Sequence, residues 1–293
     1  MPIPDSVISR YEIAVIEYLG GRANRHWLVQ RGSERAVLRR YQRRPQGDVG
    51  YELAVLDGLN RRGWPVPVAL ADPIDAGGDV WCLFRRLPGA SKTGETVADW
   101  QRRGRLLARL HQDTQDLAGF GQRRGCVRAE ELLADPALSE RLRAYEKLRP
   151  EPARVLRWHR DRATEIFGQF DLRHRELIVL HGDFADRNLL YTQDDLTGII
   201  DFEGTHLNHR ASEFALAWRG KRDALVHAYD TVHPLDDIDW ALLAPALWSW
   251  AFLGVADEIE RMLEGHVPIH DFDWQVGTLL RRSPLLDQPA YRF

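Results

Sequence analysis

The chain changes its hydrophobic rhythm once, at Leu87-Pro88-Gly89. Before that break, apolar and polar residues alternate in short runs bounded by turn residues, the pattern of half-buried strands. After it, apolar residues recur at helical spacing. A chain that switches period once builds its sheet and its helices from separate stretches of sequence, which is an α+β arrangement. The expected strands are Tyr11–Leu19, Asn24–Gln30, Arg35–Tyr41, Val66–Leu70 and Val80–Phe84, with a single helix over Asp48–Arg62 whose apolar face is Leu53, Val55, Leu56 and Leu59. Beyond the break the spacing predicts helices over Val97–Leu110, Glu130–Tyr145 and Ala153–Phe170, and more after Ser212. The expected division is a small antiparallel sheet lobe over residues 1–87 and a larger, mainly helical lobe over residues 88–293.

One segment of the second lobe carries chemistry. The run His181-Gly-Asp-Phe-Ala-Asp-Arg-Asn188 follows the apolar strand Ile178–Leu180, and a short span then ends in Ile199-Ile-Asp-Phe-Glu203. Leu189–Tyr191, a turn at Asp194-Asp195 and Thr197–Ile200 read as a hairpin that returns Asp201 beside Asn188. Asp183 is placed to orient and deprotonate a hydroxyl. The amide oxygen of Asn188 and the carboxylate of Asp201 are the oxygen donors that Mg²⁺ prefers alongside phosphates and water. Together they suit phosphoryl transfer, in which positioning and charge neutralisation do most of the work.

The surrounding sequence supports a named resemblance. Leu19-Gly-Gly-Arg-Ala-Asn24 resembles a phosphate loop, Ala36-Val-Leu-Arg39 the strand carrying a phosphate-binding cation, Phe84-Arg-Arg-Leu-Pro-Gly89 a hinge, and Leu106-Leu-Ala-Arg-Leu-His111 the first helix of the large lobe. With the segment 181–203, these resemble the aminoglycoside phosphotransferase/choline kinase family. The resemblance implies a bilobal protein-kinase-like fold and an ATP- and Mg²⁺-dependent kinase acting on a small-molecule hydroxyl. It implies Asp183 as catalytic base and Asn188 and Asp201 as Mg²⁺ ligands. Gly21 and Asn24 would lie in the phosphate loop, and the backbones of Arg85 and Leu87 would meet the adenine. Glu52 would pair with the phosphate-binding cation.

Three departures stand out. Residues 1–91 contain no lysine, because Lys92, Lys147 and Lys221 are the only lysines in the chain. The phosphate cation is therefore expected to be Arg39, a guanidinium that is always charged and binds phosphate bidentately; the alternative is a solvated strand-end arginine in a basic cluster with Arg40, Arg43 and Arg44. Asp186-Arg187 replaces the usual Pro-Gly before the Asn, and Arg187 either neutralises the transferring phosphate or pairs with Asp186. Where relatives carry Gly-Asp-Pro and then Asp-Leu-Ala, this chain has Asn208-His209-Arg210 and Glu213-Phe214-Ala215.

A protein substrate is not expected, since roughly ten residues separate Asp201 from the next helix near Ser212. Residues 206–293 hold eight Lys/Arg against thirteen Asp/Glu, a local net of −5. Either these are solvent-facing helix turns, or some of Asp230, Asp236, Asp237, Asp239, Asp257, Glu258, Glu260 and Glu264 receive a cationic acceptor. Trp240, Trp248, Trp250 and Trp274 are core residues on one reading and a quaternary-ammonium cage on the other.

The net charge of −3 gives no reason to expect a nucleic-acid partner. The longest apolar run, Trp240–Ala256, contains Pro245 and Ser249 and is short for a membrane span, so a buried helix is expected and no membrane partner. The N-terminal Met-Pro-Ile-Pro-Asp lacks the basic-then-apolar order of a signal peptide, and Cys82 and Cys126 form no metal or disulfide pattern. A cytoplasmic location is the resulting expectation.

Overall fold

The structure, a computed structural model, describes residues 2–21, 24–42, 49–92, 96–266 and 273–286. By internal packing it divides into two compact units. The first comprises residues 1–93, 119–126 and 185–206, and the second residues 94–118, 127–184 and 207–293. Where the sequence suggested a single boundary after residue 87, two later segments thus pack with the N-terminal sheet.

The first unit is built on a five-stranded antiparallel sheet. Its strands are β1 (Ile13–Gly20), β2 (Arg25–Arg31), β3 (Glu34–Tyr41), β4 (Ile74–Ala76) and β5 (Asp79–Arg85), in the order β1-β2-β3-β5-β4. The register pairs His26 with Arg39 and Arg39 with Cys82. Because strand side chains alternate between faces, that register sorts β3 into two functions. Ala36 and Leu38 join Trp27, Val29, Trp81 and Leu83 in the core on one face. Val37 and Arg39 face the other way, into a cavity. Arg40 goes with the core face, where its Nε donates to Asp79 at 2.7 Å.

Three sequence expectations change in this region and beyond it. Tyr11 ends a helix, α1 (Asp5–Tyr11), rather than starting a strand. Val7 and Tyr11, one helical turn apart, both bury in the sheet core, and the Tyr11 hydroxyl donates to the carbonyls of Asp72 and Trp81 at 2.9 and 2.8 Å. Val66–Leu70 is not a strand. Pro65 and Pro67 remove two backbone donors, leaving one bridge, Ala69 to Phe84, flanked by the bonds Leu70 N–H to Leu83 O and Arg85 N–H to Val68 O, both 2.8 Å. The helix expected over Glu130–Tyr145 is two, Ala129–Ala134 and Pro136–Leu148, separated at Asp135, which caps the second by accepting from Ala137 N–H. Proline at the first position of that helix is well tolerated because no N–H is needed there.

The expected helix over 48–62 spans Val49–Arg61 and is α2, buried along Val55, Leu56 and Leu59; Asp48, like Arg22, Ala23, Arg43 and Arg44, lies outside the described residues. The later segments of the unit supply a hairpin, Leu189–Thr192 with Asp195–Ile199, to which Ala90–Ser91 adds a third strand. Gly89 makes that approach possible: its φ is +94°, and a Cβ there would lie 2.7 Å from the Tyr191 carbonyl oxygen.

The second unit is mainly helical. Val97–Thr114 starts at the cap Thr96, whose hydroxyl accepts from Asp99 N–H at 3.2 Å, and packs on Asp223–Asp230. Gly104 is required there, since a Cβ would sit 2.1 Å from the Leu225 carbonyl oxygen. The long helix Asp237–Leu263 begins with a reciprocal cap between Asp236 and Asp239. It is long and apolar enough to cross a membrane, yet 72% of its apolar window is buried inside the protein, with Leu243, Leu247, Phe252, Val255 and Ile259 at 0% exposure. It is the core helix of this unit.

Candidate functional site

Seven residues singled out from sequence line one cavity of about 510 Å³ in the first unit: Gly21, Arg39, Glu52, Arg85, Leu87, Asn188 and Asp201. Leu19, Leu28, Val37, Leu56 and Phe84 give it apolar walls. The hairpin turns the chain so that Ile200 N–H donates to Asn188 O at 2.9 Å, which sets Asp201 beside Asn188. Asp201 takes the left-handed conformation, φ +71°. Gly21, at φ +127°, admits no side chain, because a Cβ would lie 1.9 Å from the Asn24 carbonyl oxygen.

Arg39 is 6% exposed and spends both terminal nitrogens on carboxylates. Nη1 donates to Glu52 at 2.8 Å, and Nη2 donates to Asp201 at 3.1 Å and to Glu203 at 2.8 Å. Burial disfavours its charge, but Glu52, Tyr41, Asp201 and Glu203 outweigh burial and push its pKa up. The same guanidinium acts on His26 across the sheet. Burial first, and repulsion from Arg39 second, hold that imidazole down at about 4, so it is neutral near pH 7.

Two members of this cluster escaped sequence reasoning. Glu203 stands two residues after Asp201 and also accepts from the Asn24 side chain, which is where Asn24 is engaged. Arg123 is fully buried; its Nη1 donates to the carbonyls of Glu203 and Thr205, both at 2.9 Å, and its Nη2 lies 3.8 Å from Glu52. The Asp-Phe-Glu run carried a signal for Glu203. Arg123 sits in an arginine-rich turn with no motif, so only folding reveals it.

Asp183 belongs to the second unit, and Arg187 is exposed in the turn Asp186–Asn188 of the first. Asp183 is held by a loop that Glu213 braces. The Glu213 carboxylate accepts from His181 N–H at 2.7 Å and Gly182 N–H at 3.1 Å, and His181 Nδ1 accepts from Asp183 N–H at 3.2 Å. Thus the departure Glu213-Phe214-Ala215 supplies a carboxylate to the loop. Glu213 is fully buried beside His111, 3.6 Å away. Burial would raise the carboxyl, but His111, His181 and the Gly182 amide prevail and hold it below its usual range. Burial lowers His111 in turn, against the hydrogen bond and attraction of Glu213. Glu213→Ala would take the acceptor from the buried His181 N–H and the half-buried Gly182 N–H. It is expected to lower stability by about 2–4 kcal/mol, read from the urea midpoint, with Glu213→Gln costing less because one acceptor oxygen remains.

The acidic residues of the C-terminal region are largely engaged inside the second unit. Asp236 and Asp239 cap a helix and pair with Arg175, Asp239 also pairs with Arg210, and Glu260 pairs with Arg141. Asp230 accepts from Leu235 N–H at 2.8 Å. Trp248 is buried against His159 and Trp158, at ring distances of 5.2 and 6.2 Å.

A family model described as a phosphotransferase enzyme family matches residues 14–249. A homoserine kinase of Phenylobacterium zucineum is 27% identical over 247 residues, 76% of this chain and 72% of the relative. Among solved structures, the microcompartment-associated aminopropanol kinase superposes with a TM-score of 0.69 at 17% identity, covering 94% of this chain and 92% of that one. A thermostable mutant of aminoglycoside phosphotransferase APH(4)-Ia, in ternary complex with ADP and hygromycin B, does so with a TM-score of 0.63 at 13% identity, covering 94% and 95%. At these identities the structures show a shared fold.

Proposed function

This chain belongs to the phosphotransferase enzyme family, kinases of small-molecule hydroxyls on a protein-kinase-like fold, and from that premise we propose that its donor is ATP, its metal Mg²⁺, and its acceptor a hydroxyl on an amino-bearing small molecule. The observation that carries this reading is the convergence of Gly21, Arg39, Glu52, Asn188 and Asp201 on one cavity. The backbone of the Arg85–Leu87 stretch on its wall suits an adenine, and Gly21, also on the wall, allows the close approach of the Asn24 carbonyl.

The donor set fits Mg²⁺. Asn188 and Asp201 offer an amide and a carboxylate oxygen, and among the described residues no group of three or more His, Cys, Asp or Glu could hold a metal alone. Two protein donors leave the remaining positions to phosphate and water, the usual manner of binding Mg²⁺. When bound, the ion would neutralise charge on the phosphates. Asp183 would accept a hydrogen bond from the acceptor hydroxyl and take its proton as that oxygen bonds to the γ-phosphorus and the bond from this phosphorus to the β-phosphate oxygen breaks, with ADP as the leaving group. Arg39 holds Asp201 and Glu203 in place, and supplies positive charge to the phosphate side of the cavity.

The test combines Mg-ATP thermal shift with ADP release across aminoglycosides, choline, homoserine, amino alcohols and hexoses. Expected are stabilisation by Mg-ATP, about 2.7 kcal/mol at one hundred times Kd, and turnover with an amino-bearing acceptor. Stabilisation without turnover on any acceptor would instead mean a nucleotide binder that has lost catalysis, a reading motivated by the arginine in the lysine position. No stabilisation at all would refute both.

A further inference from the structure

Within the second unit Asp183 has one guanidinium beside it. Arg219 Nη2 lies 4.0 Å from Asp183 Oδ1, and the two side chains are 29% and 20% exposed, open enough to meet a ligand. Arg219 occupies the left-handed region at φ +58°, unusual for a residue with a Cβ. Here it closes the end of the helix Phe214–Ala217, the Arg219 N–H donating to the Phe214 carbonyl at 3.2 Å. Gly220 follows at φ +64°, packed so that a Cβ would come within 2.7 Å of Leu247. The Arg219 carbonyl accepts from Arg281 Nη1 at 2.5 Å, and Arg219 Nε donates to the Leu216 carbonyl at 3.0 Å. The guanidinium is therefore anchored by its Nε, with a terminal nitrogen on the Asp183 side.

Two more arginines stand close. Arg222 is buried, and Arg281 is pushed down by burial and by repulsion from Arg219 and Arg222. Meanwhile the carboxylates of Asp236, Asp239 and Glu260, three of the candidates for receiving a cationic acceptor, are paired with Arg175, Arg210 and Arg141. A hydroxyl brought to Asp183 thus arrives beside a fixed guanidinium.

We propose that Arg219 binds a carboxylate on the acceptor, making the acceptor a short amino-bearing hydroxy acid and Arg219 the residue that selects it. The proposal rests on the kinase reading above. A guanidinium recognises a carboxylate through paired N–H donors, and a short hydroxy acid spans the distance from that group to the base.

Two matched pairs of probes isolate the carboxylate: L-homoserine against 3-amino-1-propanol, and L-threonine against 1-amino-2-propanol. ADP release gives kcat and KM for each, with kanamycin as a polycationic comparison. The wild type is expected to favour the acid of one pair by roughly 30-fold or more in kcat/KM, the discrimination typical of a hydrogen bond to a charged group. Arg219→Gly suits the positive φ without strain, so the variant should retain its unfolding temperature. It is expected to raise KM for the acid and bring the ratio toward one, while Arg219→Lys retains a preference. A wild type that favours the amino alcohols, or turns over kanamycin alone, overturns the proposal and leaves the kinase reading intact. Equal losses on both members of a pair in Arg219→Gly, with Arg219 merely steadying Asp183, overturn it too. If Mg-ATP neither stabilises the protein nor is consumed with any probe, the kinase reading itself fails and the proposal with it.

Discussion

Asp183→Asn is expected to lower kcat by about a thousandfold while changing Mg-ATP affinity less than about twofold. The size follows from the usual contribution of a positioned general base, roughly 10²- to 10⁴-fold. The amide retains the shape of the carboxylate and can still accept a hydrogen bond from the acceptor, so orientation survives in part. What it cannot do is take the proton. The nucleotide arm of the prediction follows from the cavity lining, which includes Arg39, Asn188 and Asp201 and does not include Asp183. Single-turnover ADP formation and equilibrium binding of a non-hydrolysable ATP analogue measure the two arms separately. Wild-type turnover in the variant would remove Asp183 from the base role; a large loss of nucleotide binding would mean the substitution had damaged the fold around it.

What could be read from the sequence was mostly local. Asp183, Asn188 and Asp201 stand at fixed spacing around a hairpin, and strand alternation alone separates Arg39 from Arg40. The expectation that Glu52 meets Arg39 came from family resemblance, and the two residues are 2.8 Å apart. The less legible parts depend on partners distant in sequence. The local signals for Asp5–Tyr11 are short and weak, Pro4 and Asp5 at its start and Arg10 in its last turn set against the β-branched Val7 and Ile8; its stability comes from burying Val7 and Tyr11 against the sheet. Val66–Leu70 has strand-like composition, and the prolines at 65 and 67 decided otherwise. Arg123 reaches carbonyls 80 and 82 residues away. Glu213 was visible only as a deviation from a pattern, and its function of holding the 181–182 amides needed the fold to bring it there.

Arg39→Met is expected to cost about 3–5 kcal/mol of stability, the penalty for removing one partner of a buried charge pair. Three carboxylates converge on this one guanidinium, and Glu52, at 0% exposure, has the least access to water. Without Arg39, the nearest cation to Glu52 among the described residues is Arg123, whose Nη2 is 3.8 Å away and whose Nη1 already serves two carbonyls. Arg39→Lys should fall between: one ammonium can keep the contact with Glu52, but it lacks the planar fork that also reaches Asp201 and Glu203. The double variant Arg39→Met/Glu52→Met separates folding from function. Removing both buried charges is expected to recover most of the lost stability, because the orphaned carboxylate is gone. Turnover should not recover, since Asp201 on the cavity wall, and Glu203 beside it, would still lack their cation. Urea midpoints and ADP release, measured on the same four proteins, decide the matter. If Arg39→Met were as stable as the wild type, the cluster would be a solvated surface feature, and the absence of lysine from the first 91 residues would have no structural counterpart.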